Sequence, residues 1–364
     1  MKLSIPSVST IKGVFLIFLS LLITFIFGCK DQDNFIEFKS FPDEYILVGK
    51  KLDLPIQSPA LNMRLFDSLL FIMNPYDKMF FIHIYNKNTF QHYKSFHRKG
   101  NGPNEYKSAG TFSLDKKSRI LWVTDFNKIR IVGYYIDSLL EFPNYKPAVI
   151  ISLPKKLHPM MGMENYNSEL FAIPDPAGEI QLFFFNRKGE EVSVMNKMDF
   201  KDIDNSFFSD LTRTHNSIHA GKNKIVMVYR YFDRMIIRDL KDNSFIETIG
   251  PDHIDLQKQL ELYDHERLYG YDGKPKFDDN YIYGLYRGTP AAKVDFELGK
   301  VSAVYSKKIH IFNWNGKPVM RLNLDHEISS FIIDRKNNRI IAFSVDEVNS
   351  LVSYDISHIP ELNQ

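Results

Sequence analysis

The chain has 364 residues, 44% apolar and 14% aromatic, which is room for one large domain or two ordinary ones with a sizeable core. Phenylalanine and tyrosine dominate the aromatics and suit a pleated, half-buried surface, so the composition leans toward sheet. The formal charge is +2 and the bases form no stripe, which argues against a polyanion such as nucleic acid as partner.

The N-terminus reads as an export signal. Lys2 and Lys12 flank the start of an apolar run over residues 14–27. That run is shorter than the ~20 residues a bilayer-spanning helix needs, so it is the core of a signal peptide rather than an anchor. It ends in Ile26-Phe27-Gly28-Cys29, where the chain's single cysteine follows a small residue, and this resembles the lipobox of bacterial lipoproteins. The expected processing removes residues 1–28 and leaves a lipidated Cys29 as the link to a membrane. Lys2 and Lys12 leave with the signal and no acid does, so bases and acids then balance. The mature chain has no thiol and no disulfide, and an exported protein of that kind is held by burial and sheet hydrogen bonds. Residues 29–43 read as a polar tether. Its opening, Lys30-Asp31-Gln32-Asp33-Asn34, resembles the surface-export signal of Bacteroidota lipoproteins, or serves as an ordinary spacer. Either way the expected location is the cell envelope, at the outer membrane.

Beyond the tether, Tyr45-Ile46-Leu47-Val48 reads as an isolated strand. A pattern then recurs: Ser or Asn, any residue, Leu or Ile, and a short apolar run. Its aligned apolar positions are Leu70, Ile120, Leu170, Ile225, Ile282 and Ile340, spaced 50 to 58 residues apart. Ser and Asn favour tight turns through side-chain bonds to nearby backbone, and the run after them has strand composition. A second hairpin type recurs at Phe185-Asn186-Arg187-Lys188-Gly189 and Phe312-Asn313-Trp314-Asn315-Gly316, where a strand ends and glycine takes a positive φ. About four short strands per repeat, six times over, predict an all-β, six-bladed β-propeller over residues 44–358. The last repeat offers only three strands, near residues 328–333, 339–343 and 351–354. The strand at 45–48 is therefore expected to complete the last blade as a clasp and leave no open edge at the seam.

The stretch 97–106, HRKGNGPNEY, holds two bases, two glycines and a proline between the first and second repeats. A phosphate cradle would need a helix N-terminus directly after the glycines. Here the chain continues into a strand pattern, so the stretch reads as a corner, and 249–252 is its counterpart after blade four. The long segments 196–213, 252–276 (with a short helix near 256–262) and 287–306 fall largely on the face that carries these corners. Long loops on a rigid scaffold are where binding usually sits. The polar stretch 137–147 is the exception and is expected on the plainer face.

Three segments, 98–106, 281–286 and 309–319, resemble the TolB-like six-bladed propeller lipoproteins of Bacteroidota, and the likeness spans about residues 40–355. The resemblance implies the fold and an envelope location, and brings no reaction that transfers to a residue here.

Chemistry is faint in the sequence. Arg64, Arg98, Glu105, Arg213 and Arg287 are the candidate ligand-binding residues, with Arg64, Arg213 and Arg287 placed to attract an anion at the channel mouth. His215 and His219, four apart on one strand, would face the same way, and with Glu164 form the candidate metal ligands. The blander reading is a polar, hydrated channel. Asp278 and Asp279 would point to opposite faces, which disfavours a paired acid and base. No nucleophile elbow is present. The clusters at Phe207-Phe208 and 229–232 would stack a sugar or peptide, or pack a blade core. The expectation is a lipid-anchored module that binds a small molecule, glycan or protein without a cofactor. The alternatives are a hydrolase or lyase with a channel-mouth site, with or without a metal, and a structural subunit of a surface complex.

Overall fold

A computed structural model describes residues 34–52, 54, 62–102, 104–160, 162–197, 211–262, 267–290, 292–295, 300–346 and 350–363. The signal segment, Cys29, residues 198–210 and Phe207-Phe208 lie outside the described residues.

Three short strands come first: β1 (Phe35–Glu37), β2 (Asp43–Leu47) and β3 (Lys50–Leu52). Blade 1 is β4 (Asn62–Phe66), β5 (Leu69–Met73), β6 (Phe80–Asn86) and β7 (His92–Arg98). Blade 2 is β8 (Phe112–Asp115), β9 (Ile120–Asp125), β10 (Arg130–Tyr135) and β11 (Val149–Ser152), with helix α1 (Ile136–Glu141) before its last strand. Blade 3 is β12 (Glu164–Asn165), β13 (Leu170–Pro174), β14 (Ile180–Asn186) and β15 (Glu191–Asn196). Blade 4 is β16 (Thr214–His219), β17 (Lys224–Tyr229), β18 (Arg234–Asp239) and β19 (Phe245–Ile249). Helix α2 (Leu256–Glu261) leads to blade 5, whose inner strand is split into β20 (Leu268–Tyr271) and β21 (Lys276–Phe277). It continues with β22 (Tyr281–Pro290), an inserted hairpin of β23 (Ala292–Asp295) and β24 (Lys300–Ala303), then β25 (Ser306–Asn313) and the first half of β26 (Pro318–Asp334). The second half of β26 opens blade 6, followed by β27 (Arg339–Ser344) and β28 (Ser350–Asp355). Strands within each blade are antiparallel neighbours, so the fold is the expected six-bladed β-propeller.

The recurring apolar positions all fall on the second strand of a blade. Leu70, Ile120, Ile225, Ile282 and Ile340 are buried. The preceding turn takes a left-handed residue at Asn223 (φ 51°) and Asn338 (φ 45°) as asparagine chemistry favours, but in blade 2 that residue is Arg119 (φ 54°), one past Ser118. In the other hairpins an Asn oxygen closes the turn. Asn186 Oδ1 accepts from the N–H of Lys188 and Glu190 at 2.9 and 3.0 Å, and Asn313 Oδ1 from Asn315 and Lys317 at 3.0 and 3.1 Å.

The seam closes differently from expectation. β2, which contains most of the 45–48 stretch, pairs in parallel with β26 on the outer edge of blade 5. The clasp is β3: Lys50, Lys51 and Leu52 pair with Ser353, Val352 and Leu351 of β28. Two lysines on an edge strand suit that position, since they keep the outermost edge solvated. The folded body also begins earlier than residue 44. Phe38 and Phe41 are buried, and their rings pack edge-on against Phe312. It ends later than 358 as well, because Ile359 and Leu362 are fully buried. Blades 5 and 6 share the long strand β26, whose pairing shifts from β25 to β27 where the sequence runs without glycine or proline through Leu324-Asp325-His326-Glu327-Ile328.

Each blade junction on the hairpin face carries a polar contact. Asp67–Arg119 (3.0 Å) joins blades 1 and 2, Asp115–Arg187 (3.0 Å) blades 2 and 3, and Tyr166 Oη donates to Asn223 Oδ1 (2.9 Å) between blades 3 and 4. His219–Asp279 (3.5 Å), Asp278–Arg335 (3.3 Å) and Asp334–Lys87 (2.6 Å) continue the belt through blades 5 and 6 back to blade 1. Apolar packing lies behind these pairs: Trp122 of blade 2 meets Phe171 of blade 3 edge-on at 5.0 Å, with Arg187 stacked over the indole.

Candidate functional site

The opposite face holds a cavity of about 230 Å³ between blades 3 and 4. Blade 3 gives it the start of β12 and the β13–β14 loop; blade 4 gives it the start of β16 and Arg230, just after β17. Lys274 reaches in from blade 5. It can do so because the inner strand of that blade breaks at residues 272–275, where Gly273 adopts φ 66° and the chain detours before β21. Lys274 Nζ then donates to Glu164 Oε1 at 2.5 Å and to the Met163 carbonyl at 3.2 Å. Arg64, on the inner strand of blade 1, approaches the same carboxylate at 3.9 Å and donates to the Met63 carbonyl at 3.0 Å.

Among the described residues four basic side chains line the cavity: Lys197, Arg213, Arg230 and Lys274. Among the same described residues only two carboxylates do, and both are engaged. Glu164 is held by Lys274, and Asp175 accepts from the backbone N–H groups of Ala177, Glu179 and Ile180 at 2.8 to 3.0 Å. Arg230 donates to Tyr269 Oη at 3.2 Å and lies over the rings of Tyr231 and Tyr269. The neutral polar lining is largely self-paired: Gln181 Nε2 donates to Thr214 Oγ1 at 2.7 Å, and Thr214 Oγ1 donates to Asn216 Oδ1 at 2.8 Å.

His215 sits among these cations. Burial, then Arg230, Lys274 and Arg213, push its imidazole down to about 4, so it is neutral at physiological pH. Burial likewise lowers Lys197, with Asp175 opposing and Arg213 reinforcing. Lys276, on the inner strand of blade 5, is pushed well down by burial and by Arg64 and Lys274, against the pull of Glu164. The shared cause is a desolvated concentration of positive charge.

The candidates from sequence divide. Arg64 and Glu164 meet, and Glu164, Arg213 and His215 line one cavity. Arg287 is committed elsewhere, with two hydrogen bonds to Asp272 at 2.8 and 2.7 Å and Ser306 Oγ on the same carboxylate at 2.6 Å. Arg98 pairs with Glu105 at 3.3 Å, and Glu105 also accepts from the Gly102 N–H at 3.0 Å. These bonds, with Tyr106 stacked on His97 at 3.5 Å, make stretch 97–106 the expected corner. His215 and His219 part company, since four residues of strand separate them by roughly 13 Å. His219 Nδ1 accepts from the Lys222 N–H at 3.2 Å and its ring packs against Phe277 and Trp314, so it serves the hairpin face. Among the described residues no three His, Cys, Asp or Glu side chains cluster as metal ligands.

Sequence reasoning missed Arg230, Lys197 and Lys274. The available signal for Lys274 was Gly273-Lys274-Pro275 interrupting a strand pattern. It also missed a Ser–His–Asp grouping in blade 1, where Ser95 Oγ lies 2.8 Å from both His83 Nδ1 and His92 Nε2. Asp77 stands 3.8 Å behind His83. That last gap exceeds hydrogen-bond reach, so the three do not form the continuous chain that acyl transfer uses.

A search of curated proteins finds no significant sequence match. Two solved structures share the fold. One is a Bacteroides fragilis protein described as exported, at 10% identity and TM-score 0.56, covering 88% of this chain and 98% of its own. The other is a member of the DUF4221 family from Bacteroides vulgatus, at 13% identity and TM-score 0.58, covering 85% of this chain and 97% of its own. The family model described as TolB-like 6-blade propeller-like matches residues 37–336, most of the described blades. The chain therefore belongs to the TolB-like six-bladed propeller family.

Proposed function

We propose that this propeller is an exported, lipid-anchored binding module that captures a small anionic ligand in the cavity between blades 3 and 4. The observation that carries the reading is the imbalance of charge among the described residues of that cavity: four cations against two carboxylates that already have partners. An anion entering there meets the half-buried Arg230, Lys274 and Lys197, where partial desolvation strengthens each charge-assisted bond. Export is supported by the signal-like N-terminus and by the description of the Bacteroides fragilis relative, and lipidation by the Ile26-Phe27-Gly28-Cys29 sequence. The metal-dependent alternative is weaker because the Glu164 carboxylate is held by Lys274 and His219 lies at the far end of its strand.

The test is calorimetric titration of the soluble propeller, residues 34–364, with inorganic phosphate, glucuronate and hexanoate. At least one is expected to bind, and Arg230→Gln to weaken it about tenfold or more, the worth of one charged hydrogen bond. Equal affinity in the wild type and in Arg230→Gln would remove the cavity as the site. Anchoring is tested separately: Cys29→Ala is expected to release the protein from the membrane fraction, and retention there would refute lipidation at Cys29.

A further inference from the structure

We infer that the ligand is a small aliphatic carboxylate, held by its charge at Arg213, Arg230 and Lys274 and by its hydrocarbon body against Ala172, Pro174, Pro176 and Leu182. The inference rests on the anion-binding reading of the cavity and adds the chemical class. Three features of the lining select it.

Among the described residues no Phe, Tyr or Trp lines the cavity, so these residues offer a sugar ring no broad stacking platform. Part of the neutral polar lining that a polyhydroxyl ligand would use is already tied up in the Gln181–Thr214–Asn216 chain. Breaking those bonds to accommodate hydroxyls would leave buried polar atoms to be re-satisfied. What remains is a set of cations next to hydrocarbon, with Lys197 of blade 3 among the cations and Ile218 and Ile225 of blade 4 among the apolar groups. Blades 4 and 5 bring Arg213, Arg230 and Lys274, while Ala172, Pro174, Pro176 and Leu182 come from blade 3. A ligand that is anionic throughout, such as phosphate, satisfies the cations and leaves the apolar groups facing water.

Size sets the length. At roughly 30 Å³ for each water-sized group, a cavity of about 230 Å³ holds about eight such groups. Hexanoate, with its carboxylate and five further carbons, matches this, and decanoate overfills it.

The experiment is a chain-length series, acetate, butanoate, hexanoate, octanoate and decanoate, titrated into residues 34–364, with hexan-1-ol, inorganic phosphate and glucuronate as comparators. Affinity is expected to rise about fourfold per methylene up to six to eight carbons and then stop rising or fall. Hexan-1-ol is expected to bind at least tenfold more weakly than hexanoate. Lys197→Gln, at the cavity edge, is expected to weaken hexanoate while leaving the thermal midpoint close to that of wild type, which separates lost binding from lost folding. If phosphate or glucuronate binds and the carboxylates show no dependence on chain length, the aliphatic class is overturned and the anion site stands. If no anion binds, both fall.

Discussion

Lys87 Nζ lies 2.6 Å from Asp334 Oδ1, joining the third strand of blade 1 to the inner strand of blade 6, with both side chains buried. The pair sits at the seam where the first blade meets the last. Asp334 also accepts from Asn337 and Arg339, and Arg339 reaches back to the Lys87 carbonyl at 2.6 Å. The seam therefore has two locks, strand β3 on β28 and this ion-pair network.

Removing one partner of a buried pair strands the other, at a typical cost of about 3–5 kcal/mol. Asp334→Ala leaves two cations behind and is expected at the upper end of that range. Lys87→Met leaves Asp334 with Arg339 and is expected to cost less. Urea unfolding of both variants and of the double variant checks this, and the double should recover part of the loss. Equal effects from the two single variants would mean that the network is not shared as described.

Stability is expected to fall as pH drops below about 6.5. His97 is pushed down to about 3 by burial and then by Arg130, and His215 down to about 4. Burial likewise pushes His310 well down. In each case the unfolded chain takes a proton near 6.5 that the folded chain refuses until lower pH. The loss therefore runs from about 6.5 down to the folded values and levels off below them. Chemical denaturation at pH 7, 5.5 and 4.5 measures it, and His97→Phe should flatten the slope.

Asp233 contributes with the opposite sign. It is buried between blades 4 and 5, and burial raises its carboxyl to about 7, while the Asp252 N–H and Tyr271 hydroxyl offset part of the rise. Its folded pKa lies above the unfolded one, so this contribution is full below about 4 and is lost as pH rises through about 7. Asp233→Asn is expected to be more stable than wild type at pH 8, by up to about 4 kcal/mol, and to lose the advantage near pH 4. A pH-independent difference between the two proteins would show that Asp233 does not titrate in this range.

Two glycines with positive φ separate strain from crowding. At Gly189 (φ 80°) an added Cβ would stand 2.1 Å from the Ser152 carbonyl oxygen of blade 2, whereas at Gly273 (φ 66°) it would meet nothing within 4 Å. Gly273→Ala is expected to cost about 1 kcal/mol, the price of the backbone conformation alone. Gly189→Ala should cost clearly more, because two blades must also part. Thermal melts of the pair decide.

Arg287→Ala is expected to lower stability and leave anion affinity unchanged, since Asp272 already takes the Nε and Nη2 donors of the guanidinium. A loss of affinity matching that of Arg230→Gln would reinstate Arg287 in the site.

The repeat and its hairpins were readable because they rest on local chemistry: Asn and Gly at fixed offsets from a β-branched run. The clasp was misplaced because Lys50-Lys51-Leu52 has weak strand composition beside Tyr45-Ile46-Leu47-Val48, and tertiary pairing alone decides between them. Helix α1 in blade 2 was taken for a loop, its six residues being too short to show helical periodicity. Half of the site was legible as inner-strand positions, Glu164 and His215. Arg230 and Lys274 were not, because a charge at a turn reads as solvated until the fold shows which turn faces the channel.

The most direct test of the central claim is the protonation of His215, followed by NMR across pH in the free propeller, with hexanoate and, separately, with inorganic phosphate. A bound anion offsets the charges of Arg230, Lys274 and Arg213, so the imidazole is expected to move from about 4 up toward its ordinary value with at least one of the two. A His215 titration identical in all three samples would contradict an anion site between blades 3 and 4.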